Sequence, residues 1–181
     1  VEKITKNALN QIIPSGTSVK EEGTSALFWL SGSEQGRQLL LNFPSLVEKI
    51  TENGLNHIIP SGGNEGTSAL FWLSRSEKGR QLLLNFPSLV EKITPDGLNY
   101  IISSGTYQGQ SALSILARSP EGMRILSNSS TLLEKVSQVN LQLVDIRRGD
   151  GMLSAHEDVG MFMAGARESS QEARDREVEQ S

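Results

Sequence analysis

One segment of this chain occurs three times in nearly the same form. VEKITKNALNQIIPSG begins at Val1 and returns, with a few changes, at Val47 and at Val90. The segment GTSALFWLSGSEQGRQLLLNFPSL begins at Gly23 and returns at Gly66 with two residues changed. Val47 and Val90 are 43 residues apart. Repeats of about 20 to 50 residues are typical of supersecondary units that stack because none of them can bury its apolar face alone. The repeat therefore favours an array of small units.

The period divides the chain into five regions. These are repeats at 1–46, 47–89 and 90–132, a degenerate fourth copy at 133–168 and a polar tail at 169–181. Val1 lies inside a unit and is not preceded by Met, which is the pattern expected of an incomplete array. Apolar residues of the fourth copy have helical spacing, namely Val159, Phe162, Met163 and Ala166. They predict either an end cap for the array or a Met-rich helix that binds a partner.

Within each unit the apolar residues form short clusters separated by Ser and Gly, which indicates helices rather than strands. The first helix is predicted at about 68–74 of the second unit. Side chains that can cap a helix N-terminus precede the second and third helices, and these are Ser33, Ser76, Ser119, Thr5, Thr51 and Thr94. In the third unit each cap is followed by proline (Pro95 and Pro120), which suits the first turn of a helix.

The remaining part of the unit contains a short apolar helical segment after FPS and then the third helix. We predict that this third helix runs from Thr94 to Ile102 and that the glycine of the following PSG or SSG segment ends it in the left-handed conformation. Lys49 and Lys92 each follow a glutamate, and this repeated charge pair is expected on a solvated helix face. The predicted fold class is all-α, an α-solenoid of stacked three-helix repeats.

The segment GTSALFWLS, at Gly23 and at Gly66, resembles the opening of an ankyrin repeat. Ser68 stands in place of the hydroxyl residue, Ala69 in place of the proline and Phe71 in place of the histidine, while GRQLLLN resembles the second ankyrin helix. An ankyrin unit has about 33 residues, so the additional helix accounts for the longer period. The period is equally close to that of armadillo or HEAT units, which stay as alternatives. The resemblance implies a divergent ankyrin-like array of the kind found in effectors secreted by intracellular bacteria, and hence the cytoplasm of a host cell.

Composition and residue types count against several classes of function. The formal net charge is −4 and no basic stripe is present, which argues against nucleic-acid binding by phosphate neutralisation. The chain has no cysteine for thiolate chemistry, and its two histidines, His57 and His156, lie far apart in the sequence. No apolar run is long enough to suggest a membrane span. We therefore expect no catalytic site, no metal and no cofactor.

Two positions vary between copies that are otherwise closely similar. The first holds Gln11, His57 and Tyr100, and the second holds Gly32, Arg75 and Arg118. Variation within an array marks positions at which packing does not dictate the residue, either because they contact a ligand or because they are exposed and drift. We interpret four of these residues as partner-binding: Arg75, Arg118, His57 and Tyr100.

Adjacent aromatic residues occur in the first helix of two units, as Phe28 with Trp29 and as Phe71 with Trp72. Neighbours on a helix cannot face the same way. The third unit has Ser and then Ile at these places, which favours the tryptophans as core residues. Phe28 and Phe71 are then the surface anchors and complete the predicted binding set.

These observations favour a protein–protein interaction module, a rigid scaffold that binds a partner protein on one face and performs no chemistry. One alternative is the substrate-recognition part of a larger enzyme whose catalytic domain lies outside this chain. Another is a structural spacer or a self-assembling rod. We expect a cytoplasmic protein.

Overall fold

A computed structural model describes residues 3–14 and 22–136, which are helical and contain no strand. The helices are α1 Lys6–Asn10, α2 Ala26–Gly32, α3 Glu34–Asn42, α4 Pro44–Glu48, α5 Glu52–Asn56, α6 Ala69–Arg75, α7 Glu77–Asn85, α8 Pro87–Glu91, α9 Pro95–Asn99, α10 Ala112–Leu116, α11 Pro120–Ser127 and α12 at 130–136. The all-α prediction is confirmed for these residues. The predicted fourth copy lies outside them except for 133–136, as does the whole polar tail.

Hydroxyl side chains begin most of these helices, as the sequence predicts. The Ser76 hydroxyl accepts the N–H of Gly79 at 2.9 Å, and the Thr94 hydroxyl accepts the N–H of Gly97 at 3.0 Å. Pro120 occupies the first turn of α11 behind its Ser119 cap. Because an N-cap satisfies a backbone donor that has no partner inside the helix, it depends on local sequence alone.

Within the described residues each of the three full units has four helical segments, one more than the predicted three-helix repeat. The short helical segment predicted after FPS is present as α4 and α8, whereas the third helix predicted from Thr94 to Ile102 ends at Asn99. Beyond Asn99 the chain forms a hairpin-like finger, in which the Ile102 N–H donates to the Gln110 carbonyl and the Gly109 N–H donates to the Ile102 carbonyl. These bonds join residues seven and eight positions apart, and they replace the last helical turn that the local pattern predicts.

The finger also changes the role of the predicted helix-ending glycines. We call residues 57–67 and 100–110 the fingers of the second and third units. Gly62 and Gly105 have φ of 90° and 78°, but they lie within the fingers, several residues after α5 and α9 have ended. Their left-handed conformation therefore serves the turn of the finger and not a helix C-terminus.

Equivalent helices of successive units are in contact throughout the described residues. The first helices follow one another as α2, α6 and α10, the second helices as α3, α7 and α11, and the short helices as α1, α5 and α9. The core between them is formed mainly by leucine, including Leu27, Leu70 and Leu113 at one repeated position. Each unit thus covers the apolar surface of the next.

Buried asparagines connect the short helices of adjacent units, and we call them the asparagine ladder. The Asn10 amide donates to the Lys6 carbonyl at 2.7 Å and to the Lys49 carbonyl at 2.8 Å, and its Oδ1 accepts the Thr51 N–H at 2.9 Å. One side chain therefore satisfies backbone groups in two units.

Asn56 repeats the arrangement one unit later. It donates to the Glu52 and Lys92 carbonyls, each at 2.7 Å, and accepts the Thr94 N–H at 3.0 Å. Asn99 is buried and donates to the Pro95 carbonyl at 2.7 Å, but its Oδ1 has no hydrogen-bond partner among the described residues.

Glycine is required where the ladder meets the next unit. A Cβ on Gly54 would lie 2.3 Å from Asn10 Oδ1, and a Cβ on Gly97 would lie 2.3 Å from Asn56 Oδ1. The first unit has Ala8 at this position. The two glycines thus allow the close approach that the ladder needs.

The repeated lysines are also structural, contrary to the expectation of a solvated charge pair. Lys49 Nζ donates to the Ile4 carbonyl at 2.8 Å, and Lys92 Nζ donates to the Ile50 carbonyl at 2.7 Å. Lys135 makes the same bond to Ile93 at 2.7 Å. Each lysine therefore holds a backbone acceptor of the preceding unit.

Candidate protein-binding surface

The structure reverses the predicted roles of the adjacent aromatic residues. Phe28 and Phe71 are buried, with 4% and 3% of their surfaces exposed, so neither is a surface anchor. Trp29 is 49% exposed and Trp72 is only partly buried, so the tryptophans do not form the core series. Successive side chains on a helix project about 100° apart, and adjacency alone does not tell which one faces inward.

The third unit shows why serine misled the assignment. Ser114 occupies the phenylalanine position, where its hydroxyl accepts the Ser111 N–H at 2.9 Å and donates to the Ser111 carbonyl at 3.0 Å. Ser111 in turn accepts the Ser114 N–H, so the two residues form a capping box. The hydroxyl is tolerated at this position because it bonds to the helix terminus.

Arg75 lies in a cluster of aromatic rings contributed by two units. Its guanidinium carbon is 4.4 Å from the centre of the Tyr107 ring and 5.8 Å from that of the Trp72 ring. The rings of Trp72 and Tyr107 meet edge to face, with centres 5.4 Å apart, and the buried Phe71 ring lies 5.3 Å from Tyr107. Tyr107 belongs to the finger of the third unit, so the cluster depends on the stacking of units.

The cluster continues toward the first unit. A Cβ on Gly32 would lie 3.9 Å from Trp72 Cδ2, which places Gly32 against the Trp72 ring. Trp29 is three residues before Gly32 on α2, and residues at this spacing share a helix face. We call Trp29, Gly32, Trp72, Arg75 and Tyr107 the aromatic face.

Two polar groups of the aromatic face, the Arg75 guanidinium and the Trp72 indole nitrogen, lack partners of particular kinds within the described residues. Ion pairs in the described part of the chain join Glu34 to Arg37, Glu34 to Lys78 and Glu121 to Arg80, so Arg75 has no carboxylate partner there. Trp72 Nε1 is buried and has no hydrogen-bond partner among the described residues. Trp29 Nε1, in contrast, donates to the Thr24 hydroxyl at 3.3 Å.

The other predicted binding residues lie in different surroundings. Arg118 is exposed just beyond α10, and Tyr100 is 40% exposed at the C-terminal end of α9. His57 is half-buried at the end of α5, and a Cβ on Gly23 would lie 3.6 Å from its Nε2. Burial lowers the pKa of His57, because the charged imidazolium would lose hydration. Of the six residues predicted to bind a partner, the aromatic face contains Arg75.

Two open grooves are lined partly by residues of the second helices, and neither is lined by a residue of the aromatic face. One, of about 400 Å³, is lined by residues that include Glu34, Leu39, Phe43 and Lys78. Lys78 donates to Glu34 at 2.7 Å, and this bond together with the lysine charge holds the pKa of Glu34 below its ordinary value. The other groove, of about 340 Å³, lies beside Pro87 and Ser129.

Sequence reasoning missed Tyr107 and both tryptophans as surface residues. A signal was present, because Tyr107 replaces Asn64 in the finger just as Arg75 replaces Gly32 in the first helix. The two changes meet at one place in space, although Arg75 and Tyr107 belong to different units. Without the stacking geometry, nothing in the sequence connects them.

Comparison of this chain with protein-family models, with curated proteins and with solved structures returned no match. The described residues contain no group of three or more side chains suited to hold a metal ion, and none of their helices is long and apolar enough to cross a membrane. The aromatic face is therefore interpreted from its own residues and contacts.

Proposed function

We propose that the chain is a protein-interaction module, an ankyrin-like α-solenoid that binds a partner protein on the aromatic face. Contact between equivalent helices of successive units supports an array that extends in one direction. The single observation that carries the proposal is that the partly exposed Trp72 and Tyr107 lie beside an exposed arginine, Arg75, that has no carboxylate partner within the described part of the chain. Trp, Tyr and Arg are the residue types most enriched at the energetic centres of protein interfaces.

The rigidity of the array supports binding without large rearrangement. Trp72 and Tyr107 pack edge to face on the buried Phe71, which limits the conformations that these rings adopt before a partner arrives. Side chains that are already ordered lose less conformational entropy on association. Such a surface suits noncovalent recognition, and by the resemblance to secreted effectors the partner would be a cytoplasmic protein of a host cell.

The repeats supply matched variants for a test. Trp29→Ile with Arg75→Gly replaces two members of the aromatic face by residues that other units carry at the same positions, Ile115 and Gly32. Gln35→Lys introduces the residue found at Lys78 and serves as a control outside the face. Affinity capture with quantitative mass spectrometry compares the three chains, after circular dichroism has shown equal helix content.

We expect the wild-type and Gln35→Lys chains to retain the same partner, and the double variant to lose it by about tenfold or more, as removal of interface centres predicts. Equal capture by all three chains would overturn the assignment of the aromatic face. If the double variant loses helix content, the capture is repeated with each single variant, so that loss of binding is distinguished from loss of folding.

A further inference from the structure

We infer that the segment received by the aromatic face carries a carboxylate that pairs with Arg75 and an apolar side chain that packs on Trp29. This inference rests on the proposed function and adds the chemistry of the partner. Arg75 has no carboxylate partner among the described residues, and its guanidinium is stacked against the rings of Tyr107 and Trp72. A guanidinium fixed in this manner presents its planar fork of N–H donors to a bidentate acceptor.

The buried nitrogen of Trp72 is a second, independent reason for an acceptor at this place. A covered donor without a hydrogen bond is energetically unfavourable, and Trp72 Nε1 has no partner among residues 3–14 and 22–136. The Arg75 guanidinium is near the same ring. A carboxylate that binds Arg75 therefore brings an acceptor close to the indole ring of Trp72.

A carboxylate fits the charge at this surface better than a polyanion does. The chain has a formal net charge of −4, which disfavours association with the repeated phosphates of a nucleic acid. The aromatic face contains one cation, Arg75, which matches a single carboxylate. An acidic residue of a peptide segment therefore satisfies the site without leaving other charges unpaired.

The spacing of the repeats limits the distance between the two anchors of the partner. Trp29 and Arg75 lie on α2 and α6, which pack against each other. Packed helices are about 8–10 Å apart. A polyproline-like segment returns to the same face every three residues and rises about 9 Å in doing so. The geometry thus fits an extended segment whose apolar and acidic residues are three positions apart.

A display library of random short peptides tests this inference directly. Peptides retained by the wild-type chain, and not by the Trp29→Ile and Arg75→Gly double variant, are synthesised with their acidic residue and with the neutral amide in its place. Their affinities are then measured on wild type, on Arg75→Gln and on the control Arg124→Gln, which changes an exposed arginine of α11 outside the aromatic face.

We expect enrichment of Asp or Glu with an apolar residue three positions away. Replacing the acid by its amide, or Arg75 by Gln, weakens binding about tenfold, and the two changes together cost little more than either alone because they remove the same pair. Arg124→Gln leaves the affinity unchanged. This inference would be overturned if the selected peptides bind without an acidic residue, or if the acidic residue still strengthens binding to Arg75→Gln. Either result is compatible with the proposed function as a protein-interaction module. Absence of any peptide that distinguishes wild type from the double variant would count against both.

Discussion

The asparagine ladder and the aromatic face are both formed where one unit meets the next, but they differ in how freely the sequence varies. The ladder position holds asparagine in all three full units, as Asn10, Asn56 and Asn99, whereas the Arg75 position also holds glycine. The ladder is buried and bonds to backbone groups that need partners, so few other side chains replace it. The aromatic face is in contact with solvent, where a substitution leaves the packing intact.

The contrast teaches that variation between copies locates a surface but does not show which neighbouring residue is buried. The Gly32 and Arg75 position is on the aromatic face, as its variation indicates, yet the change from phenylalanine to serine occurs at a core position. Ser114 is accommodated there by its hydrogen bonds to Ser111. Internal comparison of repeats is therefore informative only when the local hydrogen-bonding options of each residue type are considered.

The largest expected effect on stability is at a buried aromatic residue of a first helix, compared with an exposed aromatic residue of another first helix. Phe71→Ala is expected to lower the free energy of unfolding by about 3–5 kcal/mol, because it removes a buried aromatic side chain and leaves a cavity. Trp29→Ala is expected to cost about 1 kcal/mol or less, since half of that side chain is already in solvent. Urea denaturation followed by circular dichroism measures both, and a larger loss for Trp29→Ala would reverse the assignment of the two faces.

A smaller effect compares two members of the asparagine ladder. Asn56→Ala leaves the Lys92 carbonyl and the Thr94 N–H without their partner, and we expect a loss of about 3 kcal/mol in unfolding free energy. Asn99→Ala removes one bond, to the Pro95 carbonyl, and an Oδ1 that has no partner in the described residues, so we expect about 1 kcal/mol.

Chemical denaturation of the two asparagine variants at equal pH and salt checks this difference. An Asn56→Ser variant, which keeps a short polar side chain, serves as the intermediate case. Equal losses for the Asn56 and Asn99 variants would mean that the bonds to the neighbouring unit contribute nothing beyond the bond within the helix.

The smallest effect concerns pH and lies in the region between the first two units. The pKa of His57 is lowered in the folded chain by burial, so below the ordinary histidine pKa of about 6.5 the unfolded chain binds more protons. The contribution of neutral His57 to the free energy of unfolding is therefore fully present above that pH. It is lost as the pH falls toward the pKa that His57 has in the folded chain. His57→Gln, which introduces the residue found at Gln11, is expected to reduce this dependence. Melting temperatures measured across mildly acidic pH check it, and an identical slope in the variant would contradict it.

Rules of local structure recovered much of the fold from the sequence. Caps such as Ser76 and Thr94 and the proline at the start of α11 depend on residues within one turn, so they were predictable without knowledge of the rest of the chain. The end of α9 was not, because the bonds of Ile102 to Gln110 and Gly109 close a finger whose two sides are separated in sequence. The site was only partly predictable for the same reason: Arg75 was found by variation between copies, whereas Tyr107 required the contact between units.

The sequence by itself determined the helical class, the helix starts and the period of the array, since hydroxyl caps, prolines and repeated leucine clusters act over a few residues or recur at a fixed interval. The tertiary structure decided which of Phe71 and Trp72 faces the core and which units supply the aromatic face. Both residues are aromatic and can occupy either environment. The choice depends on the shape of the space left by the neighbouring unit, which becomes defined only when the helices pack together.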